Sequence, residues 1–324
     1  MAKWSWGVFS KLLQLHNLVR LSIGLSTLAF FLNFGSFNYD HIPLDEIDAN
    51  LYKHVNPNLK LDPNKPACDY GFIHEPDGPM LEIPTSYDEF LPTGIANGSF
   101  LPSHCNPQLS VALLVTYRKR QKQLDIFLPY IHNYLRKQNI HYKIFLIEQQ
   151  DDAPWNKGAL YNIGARLAMD ERFPCLILHD VDLLPRDPRN LYACLQQPRH
   201  LSASVDRLRH VLPYWYLLGG AAAVRADQYK LVNGFSNLFT GWGGEDDNFS
   251  FRLLDNNLQI LRFPERVSRY AMLPHVKQAA VNPRRAALLR QTIPDQRHDG
   301  LNSVKYIAME VKKYRLYTLI GVRL

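Results

Sequence analysis

Short apolar runs alternate with helical patterns between residues 109 and 182, and this rhythm constrains the fold more than any other feature of the 324-residue chain. The apolar runs predicted as buried strands are 109–117, 143–149 and 175–182. The segments between them, 120–138 and 156–170, have the spacing of helices. Alternation of this kind predicts an α/β domain with a parallel sheet and helices on both of its sides.

Ligands of such sheets bind at the carboxyl ends of the strands. The polar groups that fall there are Tyr117-Arg118-Lys119-Arg120, Glu148-Gln149 and Asp180-Val181-Asp182. Two carboxylates after a strand can hold a hard divalent ion, and an arginine pair can bind a diphosphate. The alternative to these ligand sites is that the acids belong to a turn and the arginines lie on the surface at the start of a helix. No G-x-G-x-x-G follows the first strand and no P-loop sequence occurs, which argues against those nucleotide sites.

A glycine-rich stretch leads into three consecutive acids, Glu245-Asp246-Asp247. The glycines on both sides of Trp242 allow the backbone to bend sharply around its ring. Acids are common in the first turn of a helix, which is the purely structural interpretation. An aromatic ring beside crowded carboxylates is also typical of a sugar site, where one acid of raised pKa can accept a proton. Downstream, Met272 and His275 could complete a metal site, and a thioether favours manganese over magnesium.

The composition is that of a globular protein, with 46% apolar and 21% charged residues. It excludes a disordered chain, a collagen and a membrane protein with many spans. The net charge of +7 comes from 37 basic and 30 acidic residues. Because no block rich in Lys and Arg occurs, the sequence predicts no nucleic-acid partner.

Residues 21–39 carry no charge, follow a basic segment and precede several acids. As a helix they would span about 28 Å, enough for a bilayer core. The positive-inside rule then predicts a cytosolic tail at 1–20 and a membrane anchor at 21–39. A cleaved signal peptide is the alternative. A proline-containing stem at 40–67 and a lumenal domain at 68–324 would follow.

Four cysteines are present, and in an oxidising lumen they permit three disulfide pairings. Free, buried thiols are the alternative, and the lack of C-x-x-C argues against a thiolate zinc site. Asn97 lies in a sequon that can carry a glycan, whereas the sequon of Asn248 falls within the candidate site and is predicted to stay bare.

Motifs over most of the chain resemble those of the β-1,4-galactosyltransferase family. They are VTYRKRQ (115–121), NKGALYNIG (156–164), CLILHDVDLLPRD (175–187), QPRHLSASVD (197–206), LPYWYLLGG (212–220), NGFSNLFTGWGGEDDNF (233–249), MLPH (272–275) and DGLNS (299–303). The resemblance implies a type II Golgi membrane enzyme whose lumenal domain has the GT-A fold, with a Rossmann-like sheet for the nucleotide sugar. It also implies disulfides Cys68–Cys105 and Cys175–Cys194.

The resemblance assigns roles to individual positions, with Asp246 as the catalytic base. The implied manganese ligands are Asp182, Met272 and His275. The implied donor-binding residues are Arg118, Arg120, Asp180, Val181, Leu217 and Trp242. The implied acceptor-binding residues are Trp242, Glu245, Asp246, Asp247 and Arg285. The segment 273–295 should be a lid, and Ala286 replaces an aromatic residue of the acceptor site.

Leu217 is the most informative departure from the family pattern. Vertebrate members have Tyr there, which crowds the C2 substituent of the donor, whereas a leucine leaves room for an N-acetyl group. Invertebrate members with Ile or Leu at this position look like β-1,4-N-acetylgalactosaminyltransferases, and the chain resembles that branch most. The resemblance thus implies an inverting enzyme that moves GalNAc from UDP-GalNAc to the 4-hydroxyl of terminal β-linked GlcNAc on a glycoprotein or glycolipid. A galactosyltransferase using UDP-Gal and a catalytically silent lectin remain as alternatives.

Overall fold

The computed structural model describes residues 6–33, 39–84, 93–275, 283–292 and 296–324. It divides into two compact units, Met1–Tyr39 and Asp40–Leu324. The first unit contains helix α1 (Trp6–Asn33). Over the described ranges, no helix combines the length and the apolarity that a membrane crossing requires. The anchor predicted over 21–39 is therefore unconfirmed, and its positions 34–38 lie outside the described residues.

The second unit is a mixed α/β domain. Its helices are α2 (Ile47–Asn50), α3 (Gln121–Arg136), α4 (Lys157–Asp170), α5 (Ala226–Leu231), α6 (Glu245–Asp255) and α7 (Arg285–Thr292). Its strands are β1 (Ser99–Phe100), β2 (Ser110–Tyr117), β3 (His141–Gln149), β4 (Cys175–Asp180), β5 (Leu183–Pro185), β6 (Arg199–His200), β7 (Ser204–Val205), β8 (Ala221–Arg225), β9 (Arg269–Met272), β10 (Ala308–Lys313) and β11 (Thr318–Arg323). Short 3₁₀ helices lie at Leu44–Glu46, Gly71–His74 and Asp206–Leu208.

The main sheet has the order β10-β11-β3-β2-β4-β8-β6, with β1 paired to β3. Strands β11, β3, β2 and β4 are parallel neighbours, which confirms the predicted strands and the parallel centre. The prediction of a parallel sheet is wrong at the flanks, where β8 pairs antiparallel with β4, β6 with β8, and β10 with β11. Between β4 and β8 the chain runs through the short strands β5, β6 and β7 and not through a crossover helix, which is the usual connection between parallel strands.

Alternate side chains of β2 enter two separate apolar cores. Val111, Leu113 and Val115 belong to the core that includes α3, whereas Ala112 and Leu114 belong to the core that includes α4. A strand covered on both faces needs an uninterrupted apolar run, which is why the sequence pattern identified it. Helices on both sides of the sheet are thus confirmed.

Residues 40–67, predicted to form a stem, pack against the domain. Ile47 and Leu51 are buried in the core on the α3 side. The Tyr52 amide donates to the Cys194 carbonyl at 3.0 Å, and the Asn56 amide donates to Ser110 Oγ at 2.9 Å. The compact unit therefore begins at Asp40 rather than at Cys68. A short packed segment without helical or strand periodicity gives no sequence signal of its burial.

Shortening Leu51 to Ala is expected to lower the free energy of unfolding by about 2–4 kcal/mol, because the side chain is only 4% exposed. Urea unfolding of the purified domain measures the change. The matched control, Leu61→Ala in the same segment, removes a side chain that is 42% exposed and should cost less than about 0.5 kcal/mol. Equal losses for the two variants would contradict the packing of this segment.

All four cysteines form disulfides, Cys68–Cys105 and Cys175–Cys194, as the family resemblance implied. The two sequons differ in accessibility. Asn97 is exposed in the turn before β1. Asn248 is fully buried in α6, and its Oδ1 accepts a hydrogen bond from Arg252 Nε at 2.9 Å. The fold has no space for a glycan on Asn248. This steric reason supports the prediction that Asn248 stays unmodified.

Candidate active site

The predicted strand-end groups meet at one edge of the sheet. In the parallel register Tyr117 lies beside Glu148, and Thr116 lies beside Asp180. The arginines that follow β2 and the acids that follow β4 are therefore neighbours across the same edge. This is the arrangement that the alternation of strands and helices predicted.

The three predicted metal ligands converge beyond β4. His275 Nδ1 lies 2.8 Å from Asp182 Oδ2. Met272 pairs in the register of β9 and β5 with Leu183, the residue after Asp182. Burial, and next the charge of Asp180, raises the pKa of Asp182, a cost that a bound cation would offset. A carboxylate, an imidazole and a thioether form a donor set of mixed hardness, which suits manganese better than magnesium.

Arg120 lies next to this donor set. Its Nη1 is 3.9 Å from Asp182 Oδ2, and within the described ranges this buried nitrogen has no hydrogen-bond partner. A buried, unsatisfied donor is costly, so an anionic ligand would be stabilised here. The residues thus fit a divalent cation with a phosphate beside it. Where the structure describes the chain, no three His, Cys, Asp or Glu side chains form a metal cluster, as expected when the third donor is a thioether.

Lys157 connects the two acidic motifs of the site. Its Nζ lies 2.5 Å from Asp180 Oδ1. Burial alone would lower the pKa of Lys157, but the charge of Asp180, followed by smaller effects of Tyr161, Glu245 and Asp246, raises it well above its ordinary value. The side chain is therefore a permanent cation among carboxylates.

Sequence reasoning assigned no role to Lys157, although a signal was available. Lys157 is the first residue of α4, immediately after the N-cap Asn156. A cation in the first turn opposes the helix dipole, so an unusual residue there indicates compensating negative charge nearby.

The three acids of α6 follow a turn that requires glycine. Gly243 and Gly244 have φ angles of 99° and 101°, a region that side chains disfavour. This turn places Glu245 in a buried position and leaves Asp246 partly buried. Asp247 Oδ1 accepts a hydrogen bond from the Tyr214 hydroxyl at 2.9 Å.

Asp246 is the acid whose ionisation is matched to neutral pH. Burial, and next the negative charge of Glu245, raises its pKa to about 7, with Lys157 acting in the opposite direction. A carboxylate of this kind is a candidate general base, because it can accept a proton and lose it again near neutral pH.

Gly219 lies against Asp246. A Cβ at Gly219 would collide with Asp246 Oδ2, and the same point is 3.7 Å from Leu217 Cδ1. Leu217, the predicted donor-selecting residue, therefore borders the candidate base. Asp246, Gly219 and Lys157 line a small cavity, together with Tyr161 and Glu245.

Trp242 and Arg285, both predicted to bind the acceptor, lie together. The guanidinium carbon of Arg285 is 6.0 Å from the centre of the Trp242 ring, which is 48% exposed. Arg285 begins α7, a helix that the sequence reasoning did not predict. Much of the predicted lid, including 276–282 and 293–295, lies outside the described residues.

The remaining donor-binding predictions fall at the same edge. Val181 is buried between the two acids of the D-x-D motif. Arg118 Nη1 donates to the Ala153 carbonyl at 2.8 Å, so the loop between β3 and α4 holds this guanidinium.

Two family models match this chain. The N-terminal region of glycosyl transferase group 7 matches residues 85–195, and the N-terminal domain of galactosyltransferase matches residues 199–276. Among curated proteins, mouse β-1,4-galactosyltransferase 1 is 38% identical over 245 residues, which is 75% of this chain and 61% of the mouse protein. Human β-1,4-galactosyltransferase 3 is 34% identical over 301 residues, covering 88% of this chain and 75% of the human protein. The chain thus spans less than two thirds of the mouse relative's length.

A solved structure of a galactosyltransferase also resembles this chain. A mutant of Drosophila β-1,4-galactosyltransferase 7, in complex with manganese, UDP-Gal and xylobiose, is similar with a TM-score of 0.55 and 26% identity. The similarity covers 67% of this chain and 94% of the fly chain. The GT-A-like character of the predicted fold is supported by this likeness.

Proposed function

The chain belongs to the β-1,4-galactosyltransferase family, and from this premise we propose that it transfers GalNAc from UDP-GalNAc to the 4-hydroxyl of a terminal β-linked GlcNAc. The observation that carries the proposal is the convergence of Asp246 and Leu217 on Gly219. Asp246, as a base of raised pKa, would then act close to the residue that would border the donor sugar. The fly relative, solved with a nucleotide sugar and a disaccharide, supports the same reaction class.

The donor would bind at the strand ends. Asp182, Met272 and His275 are the proposed manganese ligands, and the fly relative was solved with manganese. A bound manganese ion would supply neutralisation of the negative charge on the diphosphate. Arg120, with its unsatisfied buried nitrogen, and Arg118 would bind the diphosphate oxygens and hold the leaving group.

The acceptor would bind against α6. Trp242 offers an exposed ring for the apolar face of a sugar. The carboxylates of Glu245 and Asp247, in the first turn of α6, are the proposed partners of its hydroxyls. Asp246 removes the proton from the 4-hydroxyl while that oxygen attacks the anomeric carbon from the face opposite the UDP. The bond to the UDP oxygen breaks in the same step, so the anomeric configuration inverts and no covalent glycosyl-enzyme is required.

Leu217 sets the proposed donor. Its aliphatic side chain is shorter than the tyrosine of vertebrate relatives, so an acetamido group at C2 has room and an apolar surface for its methyl. A tyrosine at the same position would fill this space. Galactose, which has only a hydroxyl at C2, would leave the space empty.

The test is a comparison of the two donors at saturating GlcNAc acceptor and manganese. Wild type is expected to use UDP-GalNAc with a kcat/KM at least about tenfold above that for UDP-Gal, and Leu217→Tyr should reverse the preference. Leu217→Ile, which keeps an aliphatic side chain, is the matched control and should retain it. A wild type that prefers UDP-Gal contradicts the proposed donor, and no turnover with either donor supports the lectin alternative.

We propose the Golgi lumen as the compartment. The two disulfides, Cys68–Cys105 and Cys175–Cys194, require an oxidising environment to form and persist. Attachment to the Golgi membrane as a single-pass type II protein belongs to the same proposal, with glycoproteins or glycolipids as acceptors.

A further inference from the structure

The loop between β3 and α4 contacts both the donor-binding end of β2 and the glycine turn that carries Trp242. On the first side, the guanidinium carbon of Arg118 lies 5.2 Å from the centre of the Trp155 ring. Arg118 Nη1 also donates to the Ala153 carbonyl at 2.8 Å. A guanidinium over an indole face is a favourable pair, so the position of Arg118 depends on Trp155.

On the second side, the Trp155 carbonyl accepts a hydrogen bond from the Gly241 amide at 2.7 Å. Gly241 and Gly243, on either side of Trp242, have φ angles of 83° and 99°. A backbone that bends at glycines on both sides of a half-exposed ring can pivot there. The bond to Trp155 therefore fixes one end of the segment that carries Trp242.

The loop itself is braced against distortion. Gln149 Nε2 donates to Asp151 Oδ1 at 2.9 Å and to the Ala153 carbonyl at 3.0 Å. Gln149 Oε1 accepts from the Asn156 amide at 3.1 Å. The Trp155 ring packs against the core on the α4 side. A braced loop transmits a displacement at one end to the other instead of absorbing it.

We propose that Trp155 is a positioning residue that couples occupation of the donor diphosphate site to the placement of Trp242. The inference rests on the proposed function, because it takes Arg118 as a diphosphate ligand. When phosphate oxygens bind Arg118, the contact between its guanidinium and the Trp155 ring changes. The resulting shift of Trp155 alters the hydrogen bond between its carbonyl and the Gly241 amide. Because such coupling is reciprocal, ordering of the Trp242 segment strengthens donor binding by the same factor by which donor binding favours the ordered segment.

Hydrogen exchange measured by mass spectrometry on the full chain, with and without saturating UDP and manganese, tests the coupling. In wild type, UDP should slow amide exchange over 241–244 by about tenfold. Trp155→Leu keeps apolar packing but removes the aromatic face, and it should reduce this effect to below about twofold even at saturating UDP. Trp155→Phe, which keeps a ring under Arg118, should restore most of it.

Trp215→Ala is the matched control, since it removes an exposed indole that packs against Tyr216. It should leave the UDP effect over 241–244 unchanged. Thermal melting confirms that each variant is folded, and titration calorimetry confirms that UDP saturates it. Retention of the full effect in Trp155→Leu, or no effect in a wild type that binds UDP, overturns the coupling. A wild type that does not bind UDP overturns the proposed function itself, so the two failures are distinguishable.

Discussion

Replacing Asp246 by Asn is expected to lower kcat for glycosyl transfer by about 10³-fold, because an amide cannot accept the proton of the acceptor hydroxyl. The substitution keeps the size of the side chain. It also keeps the oxygen Oδ1, which accepts a hydrogen bond from the Asp247 amide at 3.0 Å. UDP affinity should stay within about twofold, since the donor phosphates would bind Arg118 and Arg120 rather than α6. Initial rates with radiolabelled donor and calorimetric titration with UDP measure the two quantities.

The same carboxylate predicts the pH dependence of the wild-type enzyme. With a pKa of about 7, Asp246 is ionised and active above this pH and is progressively protonated below it. The kcat/KM should therefore rise from pH 5.5 to a plateau above about pH 8, with its midpoint near 7. A profile that is flat through this range would contradict the assignment of Asp246 as the base.

The contribution of Asp246 to the free energy of unfolding should fall with rising pH, whereas its contribution to activity rises. The folded-state pKa of Asp246 is raised, so the folded protein binds its proton more tightly than the unfolded chain between about pH 4 and 7. Stability contributed by this group is present at low pH and is lost as the pH rises through 7. Asp246→Asn should raise the melting temperature by a few degrees at pH 8, for a gain on the order of 2 kcal/mol, and by little at pH 5.

The parts of the fold that the sequence predicted correctly are those with a local pattern. β2 and β4 are apolar over most of their length because helices cover both faces of the sheet, and their ends coincide with the predicted runs to within two residues. Asp180 and Asp182 were found because acids interrupt such a run. The acids at 245–247 were found because the preceding glycines and Trp242 are unusual together.

The parts that were missed depend on contacts between distant residues. The pairing of β8 with β4 and the burial of Leu51 are set by tertiary packing, and neither leaves a periodic trace in the sequence. Trp155 binds Gly241 through its backbone carbonyl, which any residue type possesses. Lys157 meets Asp180 across 23 positions of the chain, and only its place at a helix N-terminus could have pointed to it.

Replacing Lys157 by Met should be the most damaging change outside the catalytic acids. Methionine has a similar length but no charge, so Asp180, Glu245 and Asp246 would lose their shared cation. Their mutual repulsion would raise the pKa of Asp246 above 7. At pH 7, kcat/KM should fall by about 100-fold or more, with part of the loss recovered at pH 9 as Asp246 ionises.

Lys157→Arg is the control that keeps the cation. It should remain within about tenfold of wild type at pH 7 and keep the midpoint of the pH profile near 7. The Met variant should also lose about 3 kcal/mol of unfolding free energy at pH 8, and less at pH 5, where the carboxyls can be protonated instead. If Lys157→Met retained the wild-type midpoint and its loss of stability were the same at both pH values, Lys157 would serve only to fill space at the start of α4. A shifted midpoint that the Arg variant restores would establish that one buried cation sets both the ionisation of the base and the assembly of the two acidic motifs.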